Sequence, residues 1–124
     1  PTSHCEGTIS WQHYVNSDYP AGAVKAGVDH DGETIYVGRT NYKGDLLPAK
    51  LTHRGAYVGY AGHEIRLTEY ELLVAECVAW KRCSGSNIPK EAIEIGHTGG
   101  GEHLYCGRAM YKGTLQPGKV QPSQ

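Results

Sequence analysis

Phenylalanine is missing from this chain, methionine occurs once and tryptophan twice in 124 residues. Its aromatic side chains are therefore mostly tyrosines, nine of them, whose rings can pack and still offer a hydroxyl. An excess of either charge is missing too: 12 Lys and Arg face 13 Asp and Glu, for a net charge of −1. No basic field exists to gather phosphates, which argues against nucleic acid and anionic membranes as partners. No apolar run approaches the ~18 residues of a spanning helix, and no charged and then apolar leader opens the chain. A soluble chain is expected, without membrane insertion. It begins at Pro1, which fits processing or a fragment, so the expected location is secreted or extracellular, with the cytoplasm as the alternative.

Catalytic signatures are missing as well. There is no nucleophile elbow, no phosphate loop, no H-E-x-x-H and no closely spaced acidic pair, and the sequence is read as that of a binder without a cofactor rather than an enzyme. Seven histidines are scattered through turn-like segments, a pattern that gives no metal-ligand spacing. The four cysteines, Cys5, Cys77, Cys83 and Cys106, contain no C-x-x-C pair, which argues against a zinc ribbon or a thioredoxin motif. Disulfides and buried free thiols both remain open, with Cys106 set in a strand-like run that would suit a thiol.

What is abundant is glycine, 17 residues, and with it an internal repeat. A shift of 69 places lays Ser10 over Ala79 without a gap. The same register pairs Gly32-Glu33 with Gly101-Glu102, Tyr36 with Tyr105 and Gly38-Arg39 with Gly107-Arg108. It continues through Tyr42-Lys43-Gly44 and Tyr111-Lys112-Gly113, then Pro48 and Lys50 with Pro117 and Lys119. One domain over residues 1–124 is expected, with repeat one at about 10–78 and repeat two at about 79–124. The second repeat is incomplete: it stops at Gln124, the partner of Gly55, while the first runs on to Leu73. A fragment, strands supplied by a neighbouring molecule, and a fold that tolerates the loss are all compatible with this.

Between glycine-rich turns the segments are short and rich in Val, Ile, Tyr, Thr and Leu, which is strand composition. Asp31-Gly32, Lys43-Gly44-Asp45, Arg54-Gly55 and Gly99-Gly100-Gly101 read as turns. The clearest strand runs from Thr34 to Tyr42, with Ile35, Val37, Arg39 and Asn41 on one face. Its counterpart places Leu104, Cys106, Arg108 and Met110 alike. The stretch from Thr68 to Lys81 has helix formers around a β-rich centre and is read as strand. The fold class is all-β, two tandem antiparallel repeats related by an approximate two-fold axis. Arg39 and Arg108, in line with core residues, need carboxylates, for which Glu33, Glu71 and Glu102 are candidates. Trp11 and Trp80 are read as core or inter-repeat packing.

The combined motifs resemble the DM-nine repeat family, which includes natterin-like proteins and the mannose-binding lectins of bivalve molluscs. The residues that carry the resemblance run as P-A-G-A-V-K-A-G-V-D-H-D-G-E-T-I-Y-V-G-R to Arg39, K-G-D-L-L-P-A-K to Lys50, and A-Y-V-G-Y-A-G-H-E to Glu64. The second repeat supplies I-G-H-T-G-G-G-E-H-L-Y-C-G-R and K-G-T-L-Q-P-G-K. The resemblance implies a small, often dimeric β protein that recognises mannose-type sugars and serves innate pattern recognition. It also implies a sugar held by an aspartate after A-G-x and a lysine closing P-G-K. Asp29 and Lys50 match those positions, as does Lys119 in the second repeat, where Thr98 replaces the aspartate.

The chemistry of such a site is a carboxylate that accepts two hydroxyls, a fixed donor, and a ring against the C–H face of the sugar. Asp45 is a reserve acceptor, and Tyr36 or Tyr42 a stacking surface. The other reading of the same residues is that Asp29 opens a turn and Lys50 is a solvated charge. Two rival functions stay open beside a mannose-glycan lectin that gains avidity by homo-oligomerisation: the recognition part of a natterin-like pore-forming toxin, and a structural interaction module.

Overall fold

The computed structural model describes residues 9–14, 19–75, 80, 92–111 and 114–120. Of 109–111, 114–116 and 118–120 it describes the backbone alone. Ten strands occur in the order β1 Ile9–Tyr14, β2 Lys25–Val28, β3 Thr34–Tyr42, β4 Asp45–Thr52 and β5 Gly55–Tyr60. They continue with β6 His63–Leu67, β7 Tyr70–Ala75, β8 Glu94–His97, β9 His103–Tyr111 and β10 Thr114–Val120. All pairings are antiparallel within one sheet, and no helix occurs among the described residues. The stretch read as strand from Thr68 to Lys81 forms β7 over its described centre. The rest of it, apart from Thr68, Glu69 and Trp80, lies outside the described residues, as do Cys5, Cys77 and Cys83.

The two repeats fold alike in the shared register. In the first, β2 pairs with β3 as Lys25↔Tyr36, Gly27↔Ile35 and Val28↔Thr34, with an irregularity after Lys25. In the second, β8 pairs with β9 as Glu94↔Tyr105, Gly96↔Leu104 and His97↔His103, with the irregularity at the same place. The turns repeat as well. The Asp29 amide bonds the Glu33 carbonyl at 2.8 Å and the Gly32 amide the Asp29 carbonyl at 3.0 Å. The amides of Thr98 and Gly101 do the same to the carbonyls of Glu102 and Thr98, at 2.9 and 3.0 Å. Gly32 and Gly101, at φ 84° and 92°, occupy the left-handed region that a side chain resists.

The core joins both repeats. Ala26 and Ile35 of the first are at most 1 % exposed, and so are their counterparts Ile95 and Leu104. β3 pairs with β4 from Tyr36↔Leu51 to Tyr42↔Asp45, so Val37 stands beside Lys50 on one face and Leu47, Ala49 and Leu51 point to the other. Both faces bury apolar side chains. β4 is shared between the repeats: its start meets β8 at Leu46↔His97 and its end pairs with β5 from Lys50↔Tyr57 to Thr52↔Gly55.

Two reciprocal arginines mark the approximate two-fold relation. Arg39 donates from Nη1 to the Ile95 carbonyl at 3.3 Å, and Arg108 from Nη1 to the Ala26 carbonyl at 2.9 Å. Ala26 and Ile95 are equivalent positions, so each repeat sends its arginine across to the other. Each guanidinium also lies over a tryptophan ring, Arg39 over Trp11 at 4.0 Å and Arg108 over Trp80 at 4.1 Å. The tryptophans therefore pack beneath charges that tie the repeats together.

Candidate functional site

Of the three carboxylates that the sequence offers Arg39, the fold selects Glu71. β3 and β7 pair as Arg39↔Glu71, which puts both side chains on one face, and Nε stands 2.6 Å from Oε1. The counterpart of Glu71 would fall past Gln124, and among the described residues Arg108 meets no carboxylate. Burial alone then draws the Arg108 pKa below the usual guanidinium range, while Cys106 works weakly against the shift. Cys106 carries a free thiol whose pKa burial pushes up to about 11 despite the nearby Arg108.

Asp29 sits on the β2–β3 turn, where Oδ1 accepts the His30 amide at 2.9 Å. Next to it, Asp31 Oδ2 lies 3.8 Å from Arg54 Nη2 and so links this turn to the one between β4 and β5. Lys50 occupies β4 between Val37 and Tyr57. Its side chain is only 17 % exposed, with Nζ 5.7 Å from the Tyr57 ring centroid and 3.9 Å from Glu64 Oε1. Asp29 and Lys50 form no ion pair: Asp29 bonds its own turn, and the acid beside Lys50 is Glu64. β3 and the rungs from Val37 to Thr34 lie between the two positions.

Asp45 opens β4 opposite Tyr42, and its Oδ1 accepts the Gly99 amide of the second repeat at 2.6 Å. Tyr36 joins a tyrosine cluster, its ring centroid 4.8 Å from that of Tyr19. The Tyr19 hydroxyl donates to the Thr52 carbonyl at 2.8 Å and lies 3.0 Å from the Tyr70 hydroxyl. Burial first, and then the bond to Tyr70, raises the Tyr19 pKa above the usual phenol range. Lys119 lies on β10 opposite Cys106, with its side chain outside the described residues.

Sequence reasoning missed three members of these groupings. Glu64 and Tyr57 reach Lys50 because the β5–β6 hairpin folds beside β4; the hairpin turn Ala61-Gly62, with Ala61 at φ 50°, carries little turn signal. Tyr60 places its ring edge-on to Tyr42, with centroids 5.0 Å apart. Two further polar pairs are exposed, His103 Nδ1 with Glu94 Oε1 at 2.6 Å and His13 Nε2 with Glu69 Oε2 at 3.7 Å. Among the described residues no three His, Cys, Asp or Glu side chains gather into a group that could hold a metal ion.

Comparison with known proteins adds one match. The family model described as DM9 repeat matches residues 3–44 and 29–124, and so nearly the whole chain. A search of curated proteins gives no match.

Proposed function

Because the chain belongs to the DM9 repeat family, a family associated with carbohydrate recognition, we propose that it is a lectin for mannose-type glycans, a binder rather than an enzyme. The observation that carries this reading is the setting of Lys50. A largely buried lysine stem presents its ammonium between a carboxylate, Glu64, and a tyrosine ring, Tyr57, on one face of the sheet. A sugar needs such a trio: an acid to accept hydroxyls, a fixed ammonium to donate, and a ring for the C–H face. Asp29, half-buried on the β2–β3 turn with Oδ1 taken by the His30 amide, is the second acceptor of this reading. The partners in this reading are extracellular mannose-containing glycans read in innate pattern recognition. Single sugar sites are weak, and homo-oligomerisation supplies the avidity.

Titration of the protein with methyl α-D-mannoside, followed by calorimetry or by amide shifts, tests the proposal. Saturable binding at millimolar concentration is expected, with Lys50→Ala and Asp29→Ala each weakening it about tenfold, the worth of one charge-assisted bond. Absence of binding, or binding unchanged in both variants, sinks the reading.

A further inference from the structure

The turn between β8 and β9 repeats the backbone of the turn between β2 and β3, yet it has Thr98 where the first repeat has Asp29. The amide one position on shows what replaces that acid. In the first repeat the His30 amide donates to Oδ1 of Asp29 at 2.9 Å, within its own turn. In the second the equivalent amide, that of Gly99, donates to Oδ1 of Asp45 at 2.6 Å, across from the other repeat. Position 114, the counterpart of Asp45, is in turn a threonine. The first repeat thus carries aspartate at both positions, 29 and 45, and the second carries threonine at both, 98 and 114, so the acid that meets the Gly99 amide of the β8–β9 turn comes from the other repeat.

We infer that the β3–β4 turn and the β8–β9 turn form a second carbohydrate subsite, with Asp45 in place of the acid that Thr98 lacks. The inference rests on the lectin reading above and deepens it. Gly99 makes room for the substitution: a Cβ there would lie 3.3 Å from Asp45 Oδ1 and 3.4 Å from the Gly44 carbonyl oxygen. The Gly99 amide takes one carboxylate oxygen of Asp45 and leaves Oδ2 for a ligand hydroxyl. A donor and a ring surface stand beside it. Tyr42, opposite Asp45 in the β3–β4 pair, meets Tyr60 edge-on, with an angle of 77° between the rings. Lys43 holds its ammonium 5.5 Å from the centroid of Tyr42 and 5.8 Å from that of Tyr60. Lys43 does so from φ 49°, a left-handed conformation that a branched or bulky residue resists. Among the described residues its charge has no carboxylate partner, so the ammonium is free to donate to a sugar oxygen. Acid, amine and ring occur together here as they do at Lys50, built from different residues.

An amide-shift titration of the full chain with methyl α-D-mannoside distinguishes this subsite from the first. Two groups of shifts are expected, one around Lys50, Tyr57 and Glu64, the other around residues 42–45, Tyr60 and 98–101. Asp45→Asn keeps an oxygen for the Gly99 amide, and Lys43→Asn introduces a residue that accepts the left-handed turn, so both variants preserve the hairpin. Each is expected to weaken the second group of shifts at least tenfold and to leave the first unchanged. Shifts around Lys50 alone, or a second group that survives both variants, overturn the inference while the lectin reading stands. No shifts in either group overturn both.

Discussion

Arg39 reaches across the repeat boundary to the Ile95 carbonyl while Glu71 holds its Nε at 2.6 Å. Its counterpart Arg108 makes the equivalent reach to Ala26 with no acid behind it among the described residues. The Arg39 side chain is 20 % exposed and that of Glu71 38 %, so the pair is neither fully buried nor a surface ornament. Breaking a fully buried pair from one side costs about 3–5 kcal/mol and an exposed one about 1 kcal/mol or less. Glu71→Gln is therefore expected to lower stability by about 1–2 kcal/mol in urea unfolding. Arg39→Lys, which loses the flat stack on Trp11, is expected to cost a similar amount. A change below the error of the measurement in both variants would show that the carbonyl bond alone carries the contact.

The close passage of β8 over β4 predicts an unequal response of two strand glycines. A Cβ on Gly96 would run into the Leu46 carbonyl oxygen, a backbone atom that cannot move without opening the Leu46↔His97 pairing. A Cβ on Gly59 would meet nothing within 4 Å. Gly96→Ala is expected to cost about 1–3 kcal/mol, as overpacking does, and Gly59→Ala to stay within about 0.5 kcal/mol of the parent. Thermal unfolding of the two variants side by side measures the difference, and equal midpoints would contradict the crossing.

These contacts mark where the sequence stops being legible. Strands β3 and β9 could be read because glycine turns bound them, β-branched residues and tyrosine fill them, and the shared register relates one to the other. Arg39 could be assigned to an ion pair from its place among Ile35 and Val37, but choosing Glu71 over Glu33 and Glu102 required the pairing of β3 with β7. The links from Asp45 to Gly99 and from Arg39 to Ile95 depend on how one repeat lies over the other, which no local pattern encodes. Glu64 escaped for the same reason: fourteen positions separate it from Lys50 in sequence, and only the wrapped β5–β6 hairpin makes them neighbours.

Cys106 predicts a loss of stability at alkaline pH. Burial holds its folded pKa at about 11, against 9.0 for an unperturbed thiol. The neutral thiol is thus favoured in the folded state, so its contribution is fully present below pH 9 and is lost as pH rises from 9 toward 11. A two-unit difference corresponds to about 3 kcal/mol across that window. Tyr19 and Tyr70, both raised by burial, add losses of the same sign once phenols ionise in the unfolded chain. Cys106→Ala is expected to flatten the pH dependence between 9 and 11 in urea unfolding under reducing conditions. A variant with the parent's slope would show that the thiol is not the group responsible.

Glu64 offers the sharpest separation of binding from stability. Its side chain is 65 % exposed, and its oxygen lies 3.9 Å from a lysine that is 17 % exposed. A pair of this kind contributes about 0.2–1 kcal/mol to folding, so Glu64→Gln is expected to leave unfolding almost unchanged. Its effect on a bound sugar is of another kind. In the proposed site, a hydroxyl held between the carboxylate and the ammonium would lose its charged acceptor and the Lys50 ammonium the partner that fixes its position, so mannoside binding is expected to weaken by about tenfold. The two residues act on one ligand group, so Lys50→Met in the Glu64→Gln background is expected to cost less than the two single changes combined. Strict additivity in that cycle, or affinity that falls only in step with stability, would show that Glu64 merely holds the lysine in the folded protein.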